Sequence, residues 1–313
     1  MIKIAQISDT HIRNLKYHEE YTQVFNKIFS LLQEEKPDCI VHTGDIAHTK
    51  NQISPEFVEM CSWFLNQLAN IAPTFVILGN HDCNLKNDTR LDSISPIVSA
   101  LNHTNLTLWK YSGERFFGHK VAFNVMSLID EDKWVKPSDP NRINIALYHG
   151  AIAGVSTDIG YTLEHSDHDV SIFEGHDYAF LGDIHKSNQI VDTEGRVRYP
   201  GSTIQQNHGE TDDKGFLIWE IEDKDKFDVR HIVIPHPRPF VTIKLDENGK
   251  FDESLSIKPD ARIRVVSEHN LSVSDIRKSI DVIKVKFIPE SVSFLNKATE
   301  RIDISDTIKK IDT

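Results

Sequence analysis

The sequence predicts an α/β fold, and three observations predict it. Short apolar runs rich in Ile and Val alternate with longer segments whose apolar residues recur every three to four positions. Gly, Pro and Asn/Asp punctuate the joints. Five of the apolar runs end in Asp, His or Asn, which places polar chemistry at strand ends rather than on helix faces.

Ile2–Ile7 reads as a strand. His18–Glu35 carries Tyr21, Val24, Phe25, Ile28, Leu31 and Leu32 at helical spacing, and Pro37 beyond it suits a helix stop. Cys39–Thr43 is the second strand. Pro55–Asn70 is a helix through Phe57, Met60, Cys61, Phe64, Leu65 and Leu68, and Thr74–Leu78 is the third strand. This β-α-β-α-β opening implies a buried sheet between helices. Strands then follow more closely: Leu106–Trp109, Lys120–Ser127, Ile143–Tyr148 and Tyr178–Leu181. Gln189–Val191 and Arg196–Tyr199 flank Asp192-Thr193-Glu194-Gly195 as a hairpin. Phe216–Ile221 and Val229–Ile234 form another pair. Pro235-His236-Pro237-Arg238-Pro239 is stiff and suits a boundary, so the expected domains are 1–238 and 239–313. The smaller one holds strands Phe240–Leu245, Ile263–Val266 and Ile283–Phe287 and a helix near Ser272–Val282, a small α/β appendage.

No run is apolar for the ~18 residues a membrane span needs, and the N-terminus turns polar too soon for a secretory signal. Cys39, Cys61 and Cys83 form no disulfide framework, which points to a reducing cytoplasmic compartment. The net charge of −12 argues against a protein that coats nucleic acid, but not against a nuclease whose bound cations offset its own acids.

The strand ends carry the chemistry. They read Asp9-Thr10-His11, Gly44-Asp45-Ile46-Ala47-His48, Gly79-Asn80-His81-Asp82, His149-Gly150 and Gly182-Asp183-Ile184-His185. In α/β sheets that edge is where ligands bind. Mixed oxygen and imidazole donors suit Mn, Fe or Zn better than Ca. An Asp between two ions can bridge them, and two ions about 3.5–4 Å apart clamp a phosphate for in-line displacement. A nearby His that is not a ligand can protonate the leaving group.

Taken in order, these motifs resemble those of the calcineurin-like metallophosphoesterases: D-x-H, G-D, G-N-H-D/E, a lone His, and G-H-x-H. The resemblance implies a two-sheet β core flanked by helices. It implies Asp9, His11 and His185 as ligands of one metal, Asp45 as the bridge, and Asn80, His149 and Asp183 as ligands of the second. It implies His81 as the general acid, with Asp82 orienting it. Asp183 stands where the family has His; it adds a negative charge and a harder ligand, favouring Mg more than His would. Four further elements are similar to SbcD-type DNA nucleases: His48 after Gly44-Asp45, Tyr199-Pro200-Gly201-Ser202, Lys214-Gly215-Phe216, and Arg238-Pro239-Phe240. They imply a Mn-dependent exonuclease on double-stranded ends that is also an endonuclease on single strands or hairpins, with two divalent metals (Mg, Fe or Zn being alternatives). They also imply a homodimer, an SbcC-like ABC ATPase partner, a role in recombination or repair, and a capping domain in 239–313. His48 becomes a candidate for exonuclease positioning. The competing readings are another phosphoesterase of the superfamily, acting on a cyclic nucleotide, phosphoprotein or small phosphodiester, and an inactive scaffold subunit.

His42 lies inside a strand and reads as packing. Arg13, Lys50 and Arg196, among other basic residues in loops beside the motifs, form a candidate rim for a phosphate backbone, with ordinary surface charge the simpler reading for any one of them.

Overall fold

The computed structural model describes residues 1–87 and 90–298, so the last fifteen residues of the expected 239–313 segment lie outside the described residues. The chain divides into two compact units between Pro237 and Arg238.

The first unit opens with β1 (Ile2–Ile7), α1 (His18–Glu35), β2 (Cys39–His42), α2 (Pro55–Ile71), β3 (Thr74–Val76), α3 (Ser95–Leu101) and β4 (Leu106–Leu108). It continues with β5 (Gly113–Phe117), β6 (Val121–Met126), β7 (Ile143–His149), β8 (Tyr178–Gly182), β9 (Gln189–Ile190), β10 (Val197–Tyr199), β11 (Gly215–Ile221) and β12 (Phe227–Val233). Two mixed six-stranded sheets result, in the orders β12-β11-β1-β2-β3-β4 and β5-β6-β7-β8-β10-β9.

Strand alternation explains how the layers pack. On β1, Ile4 faces one apolar cluster and Ala5 and Ile7 the other; on β11, Leu217 and Trp219 oppose Phe216 and Ile218. One cluster is shared between the sheets, where Ile4, Val41 and Trp219 join Phe123, Ile145 and Phe180. The other lies under α1 and α2, where Phe25, Ile28, Phe64 and Leu65 are fully buried. Burial of each such side chain contributes roughly 1.5–3 kcal/mol. The inner strands β1, β2 and β11 are therefore buried on both faces, which is why they read as near-continuous apolar runs, while the edge strand β12 has no buried residue. Gln6 spans the two sheets, donating to the Leu181 carbonyl at 3.0 Å and accepting from the Trp219 indole at 2.9 Å. It holds the ends of β1 and β8, two of the motif-bearing strands, at one level.

The second unit is a parallel sheet β13 (Phe240–Leu245), β14 (Arg262–Ser267), β15 (Ser291–Asn296), with α4 (Val273–Phe287) crossing from β14 to β15. Here one expectation fails. Ile283–Phe287 is not a strand but the last turn of α4; Ile283 and Phe287 are buried while Val285 is exposed, a spacing of four that belongs to a helix. The strand is Ser291–Asn296 instead. Four described elements escaped the sequence reading: the seven-residue α3, the edge strand β5, which has no buried residue, and short 3-10 turns at Glu131–Lys133 and Val170–Phe173. None of the described helices is long and apolar enough to cross a membrane.

Candidate metal centre

The turn after β1 carries Asp9 and His11, and the turn after β2 carries Asp45. The two turns are laced together: Asp9 N–H donates to the Gly44 carbonyl at 3.0 Å, His11 N–H to Asp45 at 3.0 Å, and Ile12 N–H to Ile46 at 2.7 Å. Asp9, His11, Asp45 and Asp183 all hold positive φ, at 50°, 46°, 56° and 97°. Such backbone is strained for residues with a Cβ and persists only where its surroundings over-determine it. Glycine is required at two joints. Gly44 has φ 98°, and a Cβ there would lie 2.5 Å from His149 Nδ1; a Cβ on Gly79 would fall on the Asp45 carboxylate.

These turns converge. Three overlapping groups have ligand atoms all within 4.8 Å of one another: Asp9, His11 and His185; His11, Asp45 and His81; Asp9, Asp45 and His149. His11 Nε2 lies 2.9 Å from His185 Nε2 and 3.5 Å from Asp45 Oδ2. His149 Nε2 lies 3.4 Å from Asp45 Oδ1 and 3.8 Å from Asp183 Oδ1. Asp45 thus has one oxygen towards each side. His149 is buried, its Nδ1 donating to the Thr43 carbonyl at 2.7 Å, which leaves Nε2 with no hydrogen-bond partner; buried Asn80 Oδ1 also lacks one. A His held by a carbonyl on one nitrogen and free on the other is oriented for metal ligation. The donor set of carboxylates, amide oxygen and imidazoles fits divalent transition metals.

Electrostatics describe the same cluster. Burial pushes the Asp9 carboxyl up to about 6. Burial disfavours a charged His149, but the Asp45 carboxylate beside it outweighs burial and raises the imidazole well above its ordinary value. Burial likewise opposes charge on Asp45, yet His149 holds that carboxyl below the usual range. Because ligating imidazoles must be neutral, metal binding at such a cluster is coupled to proton release.

Each expected residue has a definite place. Asp9, His11, Asp45, His81, His149 and His185 meet in the groups above. Asp183 sits beside His149, its N–H donating to Asp9 Oδ2 at 3.1 Å. Asp82 lies beneath the loop that carries His81. Its buried carboxylate accepts from Ala47 N–H at 2.8 Å and Gly79 N–H at 3.0 Å, and so binds two motif loops together. The His81 ring itself is held by Nδ1 donating to the His48 carbonyl at 2.7 Å. His48 supplies this carbonyl while its own Nε2 accepts from Arg13 at 2.9 Å. His42 is more than packing: Nε2 lies 3.0 Å from Thr10 Oγ1, and Nδ1 accepts from Gly44 N–H at 3.3 Å.

Glu210 was missed. Its carboxylate accepts from His185 Nδ1 at 2.9 Å, from Ser202 Oγ at 3.2 Å and from Gln206 N–H at 2.9 Å. Buried Lys214 lies 3.8 Å from it and ion-pairs with Asp158 at 2.6 Å. Ser202 brings the Tyr-Pro-Gly-Ser loop into this network. The only sequence signal was general: a ligating His wants an acceptor on its other nitrogen. With 47 acidic residues, the sequence alone could not say which one.

The comparisons agree with this geometry. An uncharacterised protein of Acanthamoeba polyphaga mimivirus is 33% identical over 312 residues, covering 95% of this chain but 23% of that protein. A candidate phosphoesterase of Invertebrate iridescent virus 6 is 24% identical, covering 71% of this chain and 77% of the other. The DNA double-strand break repair protein Mre11 of Methanosarcina acetivorans is 23% identical, covering 94% and 45%. The chain thus spans under a quarter of the first relative and under half of the third. The calcineurin-like phosphoesterase family model matches residues 2–187, the stretch that carries all five motif turns, and the chain belongs to that family.

Proposed function

We propose that this chain is a metal-dependent DNA nuclease, acting as an exonuclease on double-stranded ends and an endonuclease on single strands or hairpins. The observation that carries the phosphodiesterase part is the convergence of Asp9, His11, Asp45, His149 and His185 into overlapping ligand groups around one bridging-type carboxylate. Likeness to Mre11 across nearly the whole chain supports DNA as substrate.

Asp9, His11 and His185 would hold one divalent cation and Asn80, His149 and Asp183 a second, with Asp45 serving both, and Mn would be the favoured metal. Bound there, such cations would supply a lowered pKa for water and offset phosphate charge. The rest is done by the chain's own residues. Asp82 and His42 hold the turns in register, and the His48 carbonyl fixes His81 through Nδ1, leaving Nε2 to protonate the departing alkoxide. The cavity of about 430 Å³ lined by His48, Lys50, Asn80 and His81 gives the leaving segment room. The unit from Arg238 is the counterpart of the capping domain in SbcD-type nucleases. A homodimer working with an SbcC-like ABC ATPase completes the proposal.

A viral relative described only as a phosphoesterase names no DNA substrate, so the second reading is another phosphoesterase of the family, acting on a small phosphodiester, cyclic nucleotide or phosphoprotein. Incubation with Mn, a linear duplex and a small chromogenic phosphodiester separates them. Cutting of the duplex supports the nuclease. Hydrolysis of the small ester alone, even with an ATPase partner added, defeats it, and absence of any metal-dependent hydrolysis leaves an inactive scaffold.

A further inference from the structure

The turns after β1 and β2 run on in parallel beyond the candidate ligands. Ile12 bridges to Ala47, and His48 N–H donates to the Ile12 carbonyl at 3.0 Å. This register sets the next side chains, Arg13 and His48, beside each other at the edge of the cluster. Arg13 Nη1 donates to His48 Nε2 at 2.9 Å and Nη2 reaches Gln206 Oε1 at 3.5 Å, while Tyr17 packs under the guanidinium at 5.7 Å. The His48 ring lies 5.7 Å from the His11 ring and 6.1 Å from that of His81.

These three side-chain partners are all formally neutral. A guanidinium has five N–H donors in a fixed fork, and no carboxylate pairs with this one among the described residues. Arg13 Nε is buried without a hydrogen-bond partner. The residue as a whole is only partly buried, not sealed into the core. A cation held rigidly, not cancelled by an acid, and set beside a centre built for phosphate is an anion-binding device. It also lies in a chain whose net charge is −12, where an unpaired arginine would ordinarily find a carboxylate.

We propose that Arg13 is a substrate-binding residue, its guanidinium taking a non-bridging oxygen of the substrate phosphate, with Tyr17, His48 and Gln206 as its positioning residues. This deepens the phosphodiesterase reading and rests on it. It also changes the part played by His48, whose Nε2 serves Arg13 rather than the substrate.

The test compares wild type, Arg13→Lys and Arg13→Met, the last retaining aliphatic packing on Tyr17. Mn affinity and inorganic phosphate binding to the Mn-loaded protein are measured by calorimetry, and KM and kcat on a small chromogenic phosphodiester by steady-state kinetics. One charge-assisted contact predicts phosphate affinity about ten- to a hundredfold weaker in Arg13→Met, with KM raised to match and kcat within a few-fold. Arg13→Lys lies between, and Mn affinity is unchanged. Equal phosphate binding by wild type and Arg13→Met overturns the proposal, as does the absence of phosphate binding to wild type. A fall in Mn affinity parallel to the fall in phosphate affinity also overturns it, because Arg13 would then be supporting the metal loops. If wild type hydrolyses no ester but Arg13→Met still loses phosphate, the anion site stands and the phosphodiesterase reading falls.

Discussion

Four candidate ligands sit on left-handed backbone, and two of them, Asp9 and His11, are separated by a single residue. Strain of about 1–3 kcal/mol per such residue is tolerated because the two turns hydrogen-bond to each other and Asp82 ties the second to the Gly79 loop. Residues that hold ligands are therefore as decisive as the ligands. Glu210→Gln keeps the shape of the side chain but weakens the acceptor on His185 Nδ1; titration calorimetry should show Mn affinity reduced about 10–100-fold. Wild-type affinity would show that Glu210 is only structural. His81→Asn should behave oppositely. As the proposed acid it would lower kcat by about 10²–10⁴ while Mn stoichiometry stays that of wild type, and full activity would remove His81 from the acid role.

Two elements around the site show how local chemistry holds the fold. Helix α2 begins at Pro55, and the Ser54 hydroxyl both accepts from Phe57 N–H at 3.1 Å and donates to the Asn14 carbonyl at 2.8 Å. One side chain caps the helix and ties it to the loop that follows Arg13. Ser54→Ala should cost about 1 kcal/mol in urea unfolding; no change would mean that water replaces both bonds. At the end of α1, Glu35 takes a two-pronged bond from Arg230 on β12, at 2.9 and 2.7 Å, and a third from Lys3 on β1 at 3.3 Å. The Arg230 hydrogen bonds, chiefly, hold its carboxyl below the ordinary value of 4.5. A carboxyl lowered by folding adds stability that is complete above its unfolded pKa and is lost as pH falls through the folded value. The stability difference between wild type and Glu35→Gln, about 1 kcal/mol at most for such a rim network, should be constant above pH 4.5 and shrink below it. A difference that persists undiminished in strong acid would assign it to packing instead.

Across the whole first unit, two sheets share an apolar interior while polar turns gather at one edge. Asp9, Asp45, Asp82 and His149 are all nearly inaccessible to water. Burial of three carboxylates together opposes folding unless positive charge accompanies them. Metal should therefore stabilise the fold as a unit. Free Mn at about a hundred times its dissociation constant adds about 2.7 kcal/mol per site, readable as a rise in Tm over chelator-treated protein. An unchanged Tm would mean that the imidazolium–carboxylate pairs already satisfy the cluster and that Mn does not bind the native state.

How much could be read before the structure follows from range. Alternation and helical spacing are properties of neighbouring residues, so His18–Glu35 appears with the expected bounds, and the strands that deliver the motif turns appear within a few residues of theirs. The motif residues were legible too, because a polar residue ending an apolar strand has no local structural reason to be there. Ile283–Phe287 misled because Ile283, Val285 and Phe287 alternate as a strand would, and only contact with the sheet showed that Ile283 and Phe287, four apart, form a helical face while Val285 is exposed. The sequence by itself determined the α/β class and which residues gather at the strand ends. Tertiary structure alone decided which atoms serve one another. Asp183 bonds Asp9 across 174 residues, Glu210 turns to His185, Asp82 binds the amides of two separate loops, and His48 turns to Arg13. Those pairings depend on where separate turns meet in space, and no pattern of neighbouring residues encodes that meeting.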